Sequence, residues 1–298
     1  MTGKLDPAHP NVSVIIPHYH DLKGLALCLD ALEAQTYPRE RVEIVVADNN
    51  SPEGAAAVSE TIGGRAALVV VTEKGAGPAR NGGVDATSGE VLAFIDSDCV
   101  AEPGWLSEGI AALSRHDVVG GRVRVLVRDP RRMSSAEAFE RVFAFDFKTY
   151  IEKLGFTGAG NLFCRRTLFR EVGGFRTAVS EDVEWSRRAT SAGFTLGYAP
   201  RAVVGHPART TWAELKAKWK RVNSETFALL ADSGHPRLRW ALRSALLPAS
   251  AVVHTPRVIL SRELSTFRDR AAALAMLYRL RIWRLIDALA LLISASRA

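Results

Sequence analysis

The sequence predicts an α/β protein: a mainly parallel sheet flanked by helices, followed by a helical C-terminal extension. Three observations carry this. Short, nearly all-apolar runs rich in β-branched residues (VSVIIP, VEIVVA, ALVVVT, VLAFI) alternate with stretches of helical period over the first hundred residues. Each run ends at a polar or structure-breaking residue. Past Trp212 the chain reads almost wholly helical, with breaks at Pro236, Pro248 and Pro256.

The elements follow in order. Residues 12–17 form a strand ended by Pro17. Leu22, Leu25, Leu29 and Leu32 recur at helical spacing within 22–36. A strand at 42–47, a helix at 52–62, a strand at 67–72, a helix at 78–88 and a strand at 91–95 complete a doubly wound unit. Sheets of this kind bind ligands at the C-terminal ends of their strands. His18, Asp48, the stretch 72–77 and Asp96 fall there. Beyond residue 100 the pattern loosens. A helix near 103–115 precedes the strand VVGGRVRVLV, and one helix is expected over 134–153. The turn TGAGN leads to the short strand LFC, a further helix begins at Glu181, and short strands near 195–204 end at Gly205 and His206. No internal repeat is present.

With 298 residues, 47% of them hydrophobic, the chain can bury a sizeable core. Cys28, Cys99 and Cys164 lie far apart with no CxxC pair, which suits reduced thiols in a cytoplasmic protein better than a disulfide frame or a zinc site. The stretch MTGKLDPAHP lacks the apolar run of a secretory leader, and no uncharged run is long enough to span a bilayer. The net charge of +7 points to an anionic partner. Its arginines and lysines crowd the segment after Arg201, where acids are sparse.

Within FIDSDCV, Asp96 and Asp98 stand one residue apart just past a buried strand, so both project to the same side. Together they suit a hard divalent cation, Mn²⁺ or Mg²⁺; the plain alternative is a cap for the following turn. Asp48, at a strand end in ADNNSPE, either accepts a hydrogen bond from a base or sugar or makes an Asx-turn with Asn50 and Ser51. In EKGAGPARN, Gly75 permits close backbone approach and Arg80 can clamp a phosphate, although the stretch is neither a Walker A loop nor GxGxxG. SEDVEW opens a helix with acids in its first turn, as the helix dipole favours; the functional reading makes Asp182 a general base. His206 reads as a packed residue or a ligand. TGAGN is a plain turn or a loop for a hydroxylated substrate.

Taken together, these motifs resemble the family-2 inverting glycosyltransferases of GT-A, Rossmann-like fold, over about residues 11–207. The resemblance rests on VSVIIPHYHD, LDALEAQTYPRERVEIVVADNNSPE, GAGPARN, GEVLAFIDSDC, FTGAGNLFCRR, SEDVEWSRR and VVGHP, in that order. It implies that Pro17 and Tyr19 line a nucleotide-sugar pocket and that Asp48 and Asn50 meet the base, usually uracil. It places Gly75, Arg80, Asp96 and Ser97 along the diphosphate and sugar. Asp96, Asp98 and His206 are implied as ligands of Mn²⁺ or Mg²⁺. Gly158, Gly160 and Asn161 match the acceptor loop, Asp182 matches the catalytic base, and Glu181 would orient acceptor or base. Two departures stand out: ADNNSPE lacks the second acid of the common DDGS pattern, and KAKWKR around Lys218 and Trp219 is not the QxxRW of processive synthases. The expected activity is therefore addition of one sugar, or few, from a UDP-linked donor to a hydroxyl acceptor in cell-surface polysaccharide or glycolipid synthesis.

Residues 1–210 are thus expected to form the catalytic domain and 211–298 a helical region. Within 271–293, Leu274, Tyr278, Ile282, Leu285, Leu289 and Leu292 recur at helical spacing, with Arg279, Arg281, Arg284 and Asp287 over the other side. That pattern fits a helix packed on the domain or in a homodimer. It also fits a helix lying in an anionic membrane face, on the inner side of the plasma membrane, near a lipid-linked acceptor. A sugar nucleotidyltransferase should carry a glycine-rich basic loop where PHYHD stands. A non-catalytic scaffold of the same fold should show decayed motifs. Nucleic acid is not an expected partner, because the basic residues accompany apolar helical faces and no aromatic β-surface.

Overall fold

The computed structural model describes residues 9–177, 179–230 and 235–294. Most of the N-terminal stretch read above for a leader, residues 1–8, falls outside them. The chain divides into two compact units. The first comprises Met1–Arg124, Phe145–Thr177 and Glu181–His206; the second comprises Val125–Ala144, Ala178–Ser180 and Pro207–Ala298.

The first unit begins with β1 (Val12–His18), α1 (Leu22–Glu33), β2 (Val42–Asp48), α2 (Gly54–Ile62), β3 (Ala67–Val70), α3 (Ala76–Asp85) and β4 (Val91–Ile95). β3, β2, β1 and β4 lie side by side in that order, all parallel. β1, β2 and β4 are buried on both faces and their side chains alternate between two cores, while β3 at the edge is only partly buried. Val12, Val14 and Ile16 of β1 join Ile44 and Val46 of β2, and Val91, Ala93 and Ile95 of β4, under α1 and α2. Ile15, Val45, Leu92 and Phe94 point the other way. Asp21 fixes the start of α1 by accepting a hydrogen bond from the Gly24 amide at 2.9 Å.

The rest of the sheet departs from the parallel pattern. β5 (Val100–Ala101), α4 (Trp105–Ala112) and β6 (Val118–Leu126) are followed by α5 (Ser135–Phe143) and α6 (Phe147–Leu154). Next come β7 (Asn161–Arg165), α7 (Arg166–Val172), α8 (Glu181–Ser191) and β8 (Leu196–Pro207). The full order is β3-β2-β1-β4-β7-β6-β8-β5, and β7 runs antiparallel to both β4 and β6. The single helix expected over 134–153 is two helices. Between them Ala144 is extended and Phe145 takes a left-handed φ of 57°, which a continuous helix cannot accommodate. The short strands expected near 195–204 are one strand, β8.

In the second unit α9 (Trp212–Leu229), α10 (Pro236–Ala245), α11 (Leu247–Ile259) and α12 (Phe267–Ser294) enclose a third core with α5. Pro236 and Pro248 sit at helix starts, where the missing N–H costs nothing. Pro256 lies inside α11 without ending it, contrary to the sequence expectation. Glu140 is buried with Arg209 and Lys218, whose donors approach its Oε1 to 3.1 and 2.9 Å. This fixes Lys218 in a buried ion cluster. Two apolar stripes run along α12: Ala273, Met276, Leu277, Leu280 and Ala288 face the core, while Tyr278, Ile282, Ile286, Leu289 and Ile293 are exposed. No helix among the described residues is long and apolar enough to cross a membrane.

Candidate active site

The C-terminal ends of β1, β2 and β4 carry Pro17, Asp48 and Asp96. Because β7 is antiparallel, its first residue pairs with the last of β4, Asn161 with Ile95, so the TGAGN turn arrives at the same edge. Gly160 is packed against Asp96: a Cβ there would stand 2.4 Å from Asp96 Oδ2. At Gly77 a Cβ would meet Arg176 O at 3.1 Å, Phe175 Cβ at 3.2 Å and Glu181 Cβ at 3.4 Å. This close approach of α3 to the start of α8 is what sets Arg80 beside Glu181.

Arg80 is 4% exposed and forks between two acids. Its Nη2 donates to Asp96 Oδ1 at 2.6 Å and its Nη1 to Glu181 Oε1 at 2.7 Å. The guanidinium lies over the Phe175 ring, and its Nε is buried with no acceptor. Burial disfavours the charge on Arg80, but Asp96 and Glu181 outweigh that and strengthen its hold on the proton. Asp182, next along α8, accepts from the Val183 amide at 2.7 Å. Burial and the neighbouring Glu181 push its carboxyl up to about 6, with the nearby charge of Arg80 opposing them. Such a group is poised to take a proton near neutral pH.

On the other side of Asp96, pairing of Val100 with Gly205 brings β8 beside the motif. His206 Nε2 comes within 3.3 Å of Asp98 Oδ2, and its ring packs on Phe145 with centroids 4.5 Å apart. Asp96, Asp98 and Cys99 present their ligand atoms within 4.8 Å of one another. Cys99 contributes no anion, because burial and the two aspartates push its thiol well up. That leaves the hard oxygen donors of Asp96 and Asp98, while Asp96, Glu181 and Asp182 surround the guanidinium of Arg80. The residues therefore fit Mn²⁺ or Mg²⁺.

The remaining expected residues fall into two groups. Asp48 is 1% exposed. Its Oδ1 accepts from Ser51 Oγ and faces His18 Nδ1 at 2.9 Å, and its Oδ2 accepts from the Ser51 amide at 3.0 Å. Burial raises the Asp48 carboxyl, but the bonds from Ser51 and His18 prevail and hold it below its usual range. Asn161 is fully buried: its Nδ2 donates to Arg122 O and Ala202 O, each at 3.0 Å, and its Oδ1 accepts from Trp105 Nε1 at 2.9 Å. Asp48 and Asn161 are thus inward rivets of the site's floor. Tyr19, 61% exposed, and Asn50, with φ 58°, stand at the rim, while Gly75 starts α3 and gives its amide to Asn49 Oδ1 at 2.8 Å. Gly158 packs toward Phe147, and Ser97 sits half-buried between the two aspartates.

Sequence reasoning placed His18 at a strand end and Ser51 in a turn with Asp48 and noted Asn49 where a second acid is common, but it did not join them into this network, and it missed Phe175. Nothing local marked Phe175.

A model of the family described as Glycosyl transferase family 2 matches residues 13–173. The chain is also 34% identical over 219 residues to the glycosyltransferase AglE of Haloferax volcanii, covering 71% of each chain. The chain belongs to glycosyl transferase family 2. The pre-mycofactocin glycosyltransferase of Mycobacterium tuberculosis is 27% identical over 228 residues, 71% of this chain and 46% of that protein. Among solved structures, a mannosyltransferase from Pyrobaculum calidifontis, PcManGT, in complex with GDP-Man and Mn²⁺, superposes with a TM-score of 0.60. At 22% identity, covering 97% of this chain and 90% of that one, it establishes a shared GT-A fold. This family-2 chain is a glycosyltransferase.

Proposed function

We propose that the chain is a metal-dependent, inverting glycosyltransferase that transfers one sugar, or few, from a UDP-linked donor to a hydroxyl acceptor. The observation that carries this is the convergence of Arg80, Asp96, Asp98, Glu181 and Asp182 at one edge of the sheet. Asp98, the Oδ2 of Asp96 and His206 would hold Mn²⁺ or Mg²⁺, which supplies Lewis-acid stabilisation of the departing diphosphate when bound. Asp182 takes the proton of the acceptor hydroxyl. The hydroxyl oxygen bonds to the anomeric carbon from the face opposite the diphosphate, and the bond from that carbon to phosphate breaks. Glu181, tied to Arg80, holds Asp182 in place. Asp48 acts on the base through His18 and Ser51, with Pro17, Tyr19, Asn50 and Ser97 around the nucleotide. The turn at Gly158 and Gly160, anchored by Asn161, receives the acceptor.

The replacement of a second acid by Asn49 and the GDP-Man bound by PcManGT make the base the first thing to measure. Binding and slow hydrolysis are followed across UDP-, GDP- and dTDP-sugars, with Mn²⁺ and with EDTA. Metal-dependent turnover of one donor supports the reading and supplies the base. A folded protein that binds none of them returns the chain to a non-catalytic scaffold. The acceptor is proposed to be lipid-linked, for cell-surface polysaccharide or glycolipid synthesis, with the exposed apolar stripes and arginines of α10 and α12 resting on an anionic membrane face. Failure to sediment with anionic liposomes at low salt removes that part alone; a homodimer through the same stripes is the competing outcome.

A further inference from the structure

Glu140 pairs with both Arg209 and Lys218 in the second unit, but among the described residues Arg281 and Arg284 of α12 have no carboxylate in ion-pair contact. Arg284 is 6% exposed, and its Nε and Nη2 both lean on one neutral atom, Asn223 Oδ1, at 3.2 Å each. Asp287, an acid whose charge acts on it, is itself held by Asn223 Nδ2 at 2.8 Å. Arg281 lies one turn earlier on the same side of α12, and its Nε is buried with no acceptor. Trp219 of α9 stacks under the Arg284 guanidinium at 3.9 Å, and its indole N–H is also buried without an acceptor. Burial lowers the proton affinity of Arg281; burial, Arg281 and Arg243 of α10 bring Arg284 down to about 9.

This cluster holds mostly donors. Arginine and the indole N–H can only donate, and a buried donor left unpaired is destabilising. Among the described residues, the two guanidinium charges of Arg281 and Arg284 stand here beside one carboxylate, Asp287. The missing group must be an anion that offers several acceptor oxygens at once. The guanidinium fork matches a phosphate in that way.

We propose that the donor cluster between α9 and α12, formed by Trp219, Asn223, Arg281 and Arg284, binds the phosphate group of a phosphate ester. The site is separate in kind from sugar transfer: it contains no acid or metal ligand of the catalytic cluster. Exposed Leu238, Leu242, Ile282 and Ile286 neighbour these arginines along α10 and α12, as a phosphate carried on a lipid would require.

The test uses the full chain in EDTA, so that no metal–phosphate complex forms in the catalytic site. Inorganic phosphate is titrated calorimetrically, and vesicles of phosphatidylcholine with and without phosphatidic acid are assayed by sedimentation. The expected result is saturable binding of at least one phosphate source, weakened tenfold or more by Arg281→Gln and by the charge-retaining Arg284→Lys. Binding of the preferred nucleotide sugar with Mn²⁺ stays unchanged in Arg281→Gln. That variant should melt at or above the wild-type temperature in phosphate-free buffer, because it removes a half-buried charge whose Nε has no acceptor. Phosphatidic acid bound without free phosphate assigns a lipid-borne ligand; the reverse assigns a soluble one. The proposal is overturned if the wild type binds neither, if Arg281→Gln binds equally well, or if its melting temperature falls together with binding, which marks a structural arginine.

Discussion

Arg166 and Arg80 are both buried beside the same sheet, at opposite ends of β4, and their surroundings differ in kind. Arg166 gives Nε to Gly89 O at 2.6 Å, Nη1 to Val84 O at 2.8 Å, and Nη2 to Ser13 Oγ and Thr87 Oγ1 at 2.8 and 3.0 Å. Glu43 completes the set by accepting from Ser13 Oγ and the amides of Ser88 and Gly89. Its neighbours there are polar groups with partners of their own, so the network is closed. Arg80 keeps a buried Nε without an acceptor and stands among more carboxylates than it can neutralise. A closed network fixes a fold. An open one, with charge left over, is held by the fold for a ligand.

Four experiments press on this difference. The largest effect is expected for Asp182→Asn, which should slow transfer by about 10²–10⁴-fold while leaving donor affinity within about twofold. In the wild type, transfer should fall tenfold per pH unit below about 6, where the base becomes protonated. The stability sign runs the other way. A carboxyl raised above its unfolded value favours folding while protonated and loses that contribution as pH rises through about 6. Thermal melts should therefore show Asp182→Asn more stable than wild type at pH 7, with the gap closing near pH 4. A flat gap would remove the burial argument.

Next come the two arginines. Arg166→Met and Arg80→Met should each cost about 3–5 kcal/mol by denaturant titration, since each strands buried acceptors or charges. Mn²⁺ should restore part of the loss for Arg80→Met and none for Arg166→Met. Equal rescue would erase the distinction between the two ends. In the wild type, Mn²⁺ at a hundredfold its dissociation constant should raise stability by about 2.7 kcal/mol, and Asp98→Asn should lose most of this rise. The smallest effect is expected for Gly160→Ala. Its methyl would crowd Asp96 Oδ2, so calorimetry should show Mn²⁺ binding weakened by about tenfold, with about 1–3 kcal/mol of overpacking strain.

The open end was the more legible of the two in the sequence. Asp96 and Asp98 announce themselves because paired acids at the end of an apolar strand are costly unless used, whereas Glu181 and Asp182 suit a helix start in any case and stood out only through the order of the motifs. The first four strands were equally plain, since burial on both faces leaves unbroken apolar runs. Arg166 could not be read, because its partners Ser13, Val84, Thr87 and Gly89 are far away in the chain and ordinary in type. Asn161 was found as a motif residue. Its strand-clamping bonds depend on β6 and β8, whose pairing with the rest of the sheet no local pattern specifies. The break at Phe145 was missed because both flanking segments have helical period.

Asn49 carries a consequence for the history open to this site. Its amide donates to Val71 O at 3.0 Å and Glu73 O at 2.6 Å and accepts from the Gly75 amide, tying the end of β2 to the loop before α3. An aspartate there differs by one amide group, and it would set a negative charge against two carbonyl oxygens. The two-acid form of the motif therefore cannot be reached from this chain by that substitution alone. The loop at 71–75 would have to move with it, so the residue at 49 and the path of that loop are coupled.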